Sequence, residues 1–250
     1  MNVRGIFAGF AVATAFFTRI PVATPASHAE RLADAAWAFP LVGAGIGGVA
    51  AFAFLLVQLL GLGDWPAAVL AVLASIVLTG ALHEDGLADT ADGLIGGQDR
   101  EQRLAIMRDS RHGTFGVVAI VLSVLLRVTA LADIGDPIHA GLALIAAHAA
   151  SRAALPVAML VLAPARAGGL GAAAGRPRTR LAIGALAIGL LTTLAALGPM
   201  RGATAFGLAS AAIFASGALA HRRIGGYTGD VLGAFEQIGE IVMLLTVAAK

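Results

Sequence analysis

The sequence predicts an all-α fold: a polytopic integral membrane bundle of about six to eight transmembrane helices, with a partly helical polar loop on one side. Three observations predict it. The chain is 58% hydrophobic and 13% charged, with a mean hydropathy of +0.87, a balance that belongs to membrane proteins and not to soluble domains. Apolar stretches long enough to cross a bilayer recur along all 250 residues, separated by short polar connections. Glycines and alanines recur inside those stretches, giving the small-residue surfaces through which helices approach in lipid. Residues 1–250 read as a single transmembrane domain.

The elements follow in chain order. Residues 3–20 are mostly apolar but carry Arg4, Thr14, Thr18 and Arg19. That is marginal for a crossing of about 20 residues, so crossing, interfacial and re-entrant placements all stay open. The stretch runs into Pro21 and Pro25 with no small-residue cleavage site, so no cleavable signal peptide is expected. Residues 22–37 are a polar connection with Glu30, Arg31 and Asp34. Residues 38–62 are the first full span, with a stripe at Gly43, Gly47 and Gly48 that reads as packing. Asp64-Trp65-Pro66 marks an interface and a helix start, and residues 66–82 form the second span. After a polar segment come spans at 114–132 and 137–163, joined by a turn with Asp133 and Asp136. A Gly- and Arg-rich loop occupies 164–180; spans at 181–199 and 203–220, a polar patch at 221–230 and a final apolar helix at 231–249 complete the chain.

The polar segment between the second and third spans is where chemistry concentrates. Seven of the fifteen acidic residues lie between positions 83 and 112, together with Arg100, Arg103, Arg108 and Arg111. If residues 85–92 are helical, Asp85, Asp89 and Asp92 point roughly 0°, 40° and −20° around the axis, at about 100° per residue. Like charges so placed repel, and a divalent cation between them would offset that. Carboxylate and water suit Mg²⁺, which is often shared with substrate phosphates. The alternative is a solvated acidic loop. Glycines at 86, 93, 96 and 97 weaken a regular helix and permit close backbone approach to a ligand. Arg103 and Arg111 are candidate phosphate ligands or topological anchors. Asp109-Ser110-Arg111, before a glycine, is the better candidate for a phosphate-facing turn.

Ionisable residues also fall inside spans: Arg127, His148 and Arg152, with Glu236 and Glu240 one turn apart in the final helix. At membrane depth such groups face a partner or a cavity. Arg127 has the alternative of snorkelling to a helix end. His148 and Arg152, four residues apart, share a face. Arg152 is expected to draw on the acidic segment for its partner.

With the acidic segment inside, the loops at 22–37, 83–112, 164–180 and 221–230 hold one, four, four and two arginines, while the outer turns hold only Arg201. This satisfies the positive-inside rule and puts both polar patches on one face. Sixteen of the seventeen basic residues are arginine, no basic run is dense, and nucleic-acid binding is not expected despite a pI of 9.9. The absence of cysteine excludes disulfides, thiolate metal sites and cysteine nucleophiles.

The run from His83 through Gly93, with Glu84-Asp85-Gly86-Leu87-Ala88-Asp89-Thr90-Ala91-Asp92, then Gly96-Gly97, the stretch from Arg103 to Arg111, and Gly113, resembles the signature of the cobalamin synthase family, the adenosylcobinamide-GDP ribazoletransferases of late vitamin B12 biosynthesis. Phe17-Thr18-Arg19-Ile20-Pro21-Val22 and Phe39-Pro40-Leu41-Val42-Gly43 resemble its N-terminal features, and the run from Gly225 to Ala234 its C-terminal one. The resemblance covers the whole chain and implies a multi-pass enzyme of the bacterial or archaeal inner membrane, with its active face cytoplasmic. It implies a Mg²⁺-dependent transfer from adenosylcobinamide-GDP to α-ribazole or α-ribazole 5′-phosphate, releasing GMP. On this reading Asp85, Asp89 and Asp92, with Glu84, hold Mg²⁺ on the diphosphate; Arg103, Arg111 and Arg152 bind phosphate; Asp109 and Ser110 assist; and Asp92 or Asp230 is the general base. Arg19, His148, Arg152, Thr228, Gly229, Glu236 and Glu240 are expected to contact substrate. The lipid bilayer is the expected environment, and the small-residue stripes permit association with a second copy or with other membrane-associated corrinoid enzymes.

Two other readings remain. A CDP-alcohol phosphatidyltransferase also lines aspartates along membrane helices, but its motif places Ala-Arg after the first Asp-Gly, where Leu87-Ala88-Asp89 stands here. An ion-coupled transporter would show broken helices at the midplane of symmetric halves, and no internal repeat is evident.

Overall fold

The computed structural model describes residues 3–24, 32–109, 111 and 113–249. Glu30, Arg31, Ser110 and His112 lie outside the described residues. Eleven α-helices account for most of the described chain, with one isolated bridge between Pro164 and Tyr227. They are α1 (Val3–Phe17), α2 (Phe39–Leu59), α3 (Asp64–Thr79), α4 (Leu82–Gly96), α5 (Arg100–Ile106), α6 (Thr114–Ile134), α7 (Pro137–Val161), α8 (Leu170–Ala173), α9 (Thr179–Leu197), α10 (Pro199–Ile224) and α11 (Gly229–Ala248). A 3₁₀ turn at Ala36–Ala38 leads into α2.

Six of these are long and apolar enough to cross a membrane: α2 with its preceding turn, α6, α7, α9, α10 and α11. Their outward faces carry large apolar side chains such as Phe52, Leu56, Val121, Leu125, Ile183, Leu191 and Phe214, as lipid contact requires. The expected spans at 114–132, 137–163 and 231–249 coincide with α6, α7 and α11 to within a few residues. The 203–220 span is longer than expected: α10 begins at Pro199 and absorbs His221, Arg222 and Arg223 as its last turn.

One expectation changes. The second span does not reach 82. Its helix, α3, stops at Thr79, because Gly80 and Ala81 both adopt left-handed backbone, φ +65° and +59°. That geometry ends a helix, and α4 leaves at 89° to α3. The polar segment is helical over Leu82–Gly96 and again over Arg100–Ile106, in line with the partly helical expectation and not with the solvated-loop alternative. α1 is a short apolar helix of 15 residues and lies below span length. Arg19 closes the corner: its backbone N–H donates to the carbonyl of Leu78 (2.8 Å) and its guanidinium lies 3.5 Å from the carbonyl oxygen of Gly80.

α7 and α11 form the centre. α7 packs against α2 and α9, and α11 against α4, α7 and α10. The alanine-rich face of α7 lets its neighbours close in, with Ala140, Ala143, Ala146, Ala147, Ala149 and Ala150 all buried. The glycine stripe of α2 now separates into two classes. A Cβ at Gly43 or Gly47 would run into the α7 backbone at His148 or Leu144, whereas one at Gly48 meets nothing within 4 Å. Gly43→Ala is therefore expected to destabilise by about 1–3 kcal/mol. Gly48→Ala should be neutral or stabilising by up to about 1 kcal/mol. Thermal unfolding of the two variants in the same detergent checks the contrast.

Candidate active site at one end of the bundle

The C-terminus of α1, the N-termini of α2, α4 and α11, and the C-terminus of α7 gather at one end. Between them lies a cavity of about 330 Å³. Its lining includes Phe16, Phe17, Phe39, Leu155 and Met159 on the apolar side and His83, Asp85, Arg166 and Asp230 on the polar side.

Close backbone contact builds the polar wall. Gly86 on α4 lies against Asp230 and Gly233 on α11, and a Cβ at Gly86 would come within 2.7 Å of the Asp230 carbonyl oxygen. Only glycine allows that crossing. It sets Asp85 and Asp230, 145 positions apart in sequence, on one cavity. Thr228 caps α11 by accepting the Val231 N–H (3.2 Å), and its hydroxyl donates to Asp230 Oδ2 (3.1 Å). Arg166 Nη2 reaches the same oxygen (3.4 Å), while its Nη1 is buried with no hydrogen-bond partner among the described residues. Gly229 also lines the cavity, and Gly171 touches it so closely that a side chain there would strike its amide nitrogen.

The acidic segment does not converge on a point. The three aspartates were expected on one narrow face. Angle alone ignores the 1.5 Å rise per residue, which spreads Asp85 and Asp92 about 10 Å along the axis. Asp85 faces the cavity, and Asp89 is half-buried one turn on. Asp92 turns away: its carboxylate accepts the backbone N–H groups of Gly113 (2.6 Å) and Gly116 (2.9 Å), so it caps the start of α6. Glu84 points into the bundle, where it accepts from Arg127 (3.1 Å) and Gln237 (3.2 Å). Of the four carboxylates expected at a metal, two thus hold the fold together. Asp92→Asn should destabilise by about 1.5–3 kcal/mol, since an amide cannot accept both N–H groups. If the unfolding temperature of that variant equals wild type, the capping role is refuted.

Behind the polar wall runs a buried ionic network. Arg127 bridges Glu84 and Glu240 (3.3 Å); Arg152 pairs with Glu236 (2.5 Å) and lies 3.1 Å from His148 Nδ1, which is 3.3 Å from Glu240. Ser151 donates to Glu236 and Ser123 to Gln237. Every member is at most 5% exposed. The inward facing of Glu236 and Glu240 and the shared face of His148 and Arg152 agree with the spacing. The partners differ from expectation: Arg152 takes Glu236 and not the acidic segment, and Arg127 is fully buried and does not snorkel. His148, Glu236 and Glu240 are the one trio among the described residues whose donor atoms approach closely enough to surround an ion. Arg152 engages Glu236 and Arg127 reaches only Oε1 of Glu240, whose Oε2 has no hydrogen-bond partner among the described residues; none of the three lines the cavity.

The other candidates lie outside it as well. Arg103 donates to the carbonyls of Arg223 (3.3 Å) and Gln98 (2.8 Å). Arg100, which the sequence did not single out, donates to Ile224 and Ala165. Both tie α5 to the end of α10, where unpaired carbonyls are available. Arg111 and Asp109 form an exposed two-pronged pair at 2.8 and 3.1 Å, and the hydrogen bonds from Arg111 hold the Asp109 carboxyl down at about 2. The residues missed by the sequence reading are Arg166, the phenylalanines and His83. Nothing in spacing singles out one arginine of a four-arginine loop; only the fold brings it to Asp230.

Asp85 on the cavity wall, with Asp89 one turn on, is the pair that could hold Mg²⁺. Such an ion commonly takes one or two protein carboxylates and completes its shell with water and substrate phosphate, and this pair offers that number.

A family model described as Cobalamin-5-phosphate synthase matches residues 9–248. A relative from Bradyrhizobium diazoefficiens, named adenosylcobinamide-GDP ribazoletransferase, is 48% identical over 99% of this chain and 96% of its own length. Relatives of the same name from Azorhizobium caulinodans and Mesorhizobium japonicum are 46% and 42% identical, over 99% and 98% of the chain and 97% and 94% of their own lengths. No solved structure matches the chain significantly.

Proposed function

The chain belongs to the cobalamin-5-phosphate synthase family, and from that premise we propose that it transfers the cobinamide-phosphate moiety of adenosylcobinamide-GDP to a free ribose hydroxyl of α-ribazole or its 5′-phosphate. The match across residues 9–248 carries this reading. The ribose oxygen attacks the cobinamide-side phosphorus, the bond to the departing phosphate breaks, and GMP leaves. Such a transfer needs alignment and charge neutralisation more than covalent help.

The cavity supplies groups for both. Asp230 is the general base, taking the hydroxyl proton; Asp92, the other candidate, has both oxygens engaged by backbone N–H groups. Arg166, with Nη1 unpartnered, is the phosphate ligand in place of Arg103 and Arg111. Asp85 and Asp89 would hold Mg²⁺, which when bound polarises the phosphoryl group and stabilises the departing GMP. A CDP-alcohol phosphotransferase or a transporter is not favoured, because the family match runs along nearly the whole chain.

Purified protein in proteoliposomes, given adenosylcobinamide-GDP and α-ribazole, is expected to release GMP and form the corrinoid product. Absence of GMP overturns the reaction. Undiminished release in EDTA overturns the metal assignment alone. Running α-ribazole 5′-phosphate in parallel shows which acceptor is preferred.

The cavity end is proposed to face the cytoplasm, supported by the arginine bias of its loops. The cysteine-free chain makes this measurable. Gln98→Cys, at the cavity end, should react with a membrane-impermeant maleimide only in inverted vesicles. Met200→Cys, 83% exposed at the opposite end, should react only in right-side-out ones; the reverse pattern refutes the orientation.

A further inference from the structure

The apolar half of the cavity is built from three phenylalanines at two helix ends. Phe17 meets Phe39 edge to face at 4.8 Å and Phe16 at 5.0 Å, and stacks on His83 at 5.8 Å. Phe17 and Phe39 are 1% and 2% exposed, so packing fixes their rings. His83 has one nitrogen committed. Its Nδ1 lies 3.4 Å from Arg152 Nη2, and a guanidinium can only donate. Glu236 Oε2 lies farther from Nδ1, at 3.8 Å and beyond hydrogen-bond reach, so the arrangement favours the neutral tautomer with its proton on Nε2. That nitrogen is buried and has no hydrogen-bond partner among the described residues, leaving a donor owed an acceptor.

Resting on the reaction proposed above, we propose that this cavity seats the aromatic base of the acceptor nucleoside. His83 Nε2–H donates to the one ring nitrogen of that base not bonded to ribose, and Phe17 and Phe39 with Met159 form the walls. The attacking ribose hydroxyl then lies toward Asp85 and Asp230.

Size and polarity choose this occupant. A volume of about 330 Å³ is at the lower end of small-molecule sites, roughly 300–1,000 Å³. It takes a two-ring base and excludes a corrin macrocycle. Guanine would fit by size, but its edge carries several donors and acceptors, and phenylalanine, leucine and methionine would leave most of them unpaired at about 1–3 kcal/mol each. A dimethylbenzimidazole presents one acceptor and otherwise apolar surface, matching one donor on an apolar wall.

Steady-state kinetics with both substrates varied test the seat. Met159→Trp, which fills the cavity from α7, should raise KM for α-ribazole at least about tenfold while KM for adenosylcobinamide-GDP stays within about twofold. A second measurement needs no mutation that risks the fold: the indole analogue of α-ribazole, lacking the acceptor nitrogen, should have a KM about tenfold above α-ribazole in wild type. His83→Phe should erase that difference, and His83→Gln, which keeps a donor, should restore part of it. A rise in the KM of adenosylcobinamide-GDP instead, or no change in either KM, overturns the seat. Wild-type protein that releases no GMP refutes the reaction itself, a separate result.

Discussion

Asp85→Asn is expected to lower GMP release by roughly 100- to 1,000-fold, the scale seen when one group acting on developing charge is removed. The substitution keeps shape and removes a charge. Asp85 is exposed on the cavity wall, so stability should change by no more than about 0.5 kcal/mol. This separates it from Asp92→Asn, about two helix turns away but different in kind: there the loss of stability should come first and any loss of rate should follow from it. Measuring kcat and unfolding temperature on both variants distinguishes a carboxylate that meets substrate from one that holds α6. An Asp85→Asn enzyme with wild-type turnover would remove the cavity from the mechanism.

Arg127→Leu is expected to be the most destabilising single change, at about 3–5 kcal/mol. Its guanidinium pairs with Glu84 and Glu240 at 3.1 and 3.3 Å and is 1% exposed. Deleting it leaves two carboxylates buried without their cation. Arg127→Lys should recover little, since a single ammonium does not present the fork that spans both partners. A Leu at both 127 and 240 should recover part of the loss, because replacing a buried pair by apolar groups of similar size is often neutral. Thermal unfolding in detergent, read by loss of monodisperse protein, gives all three. If Arg127→Leu unfolds with wild-type protein, the network contributes nothing to holding α4 against α6 and α11.

The network also explains why an acidic helix with glycines at 86, 93 and 96 is regular at all. Its propensity is poor, and like charges crowd one side. Long-range contacts override both: Glu84 to Arg127, Gly86 to α11, Gly93 to Met107, and Asp92 to the start of α6. In a bilayer, where helices gain no hydrophobic energy from each other, such polar ties and close glycine contacts carry the association.

What the sequence by itself determined is the helical membrane class and the gathering of both polar patches at one end. These follow from hydropathy, charge position and helix period, which are local properties of a chain in lipid. Tertiary structure alone decided what each polar side chain touches. Periodicity assigned Asp85, Asp89 and Asp92 a common direction but said nothing of depth, and depth sends one to a cavity and another to the amides of Gly113 and Gly116. Arg103 and Arg166 look alike in sequence; one meets the carbonyls ending α10 and the other meets Asp230. A charge inside a protein is stabilised by whichever partner the fold delivers within hydrogen-bond reach, and in this chain those partners lie tens to hundreds of positions away.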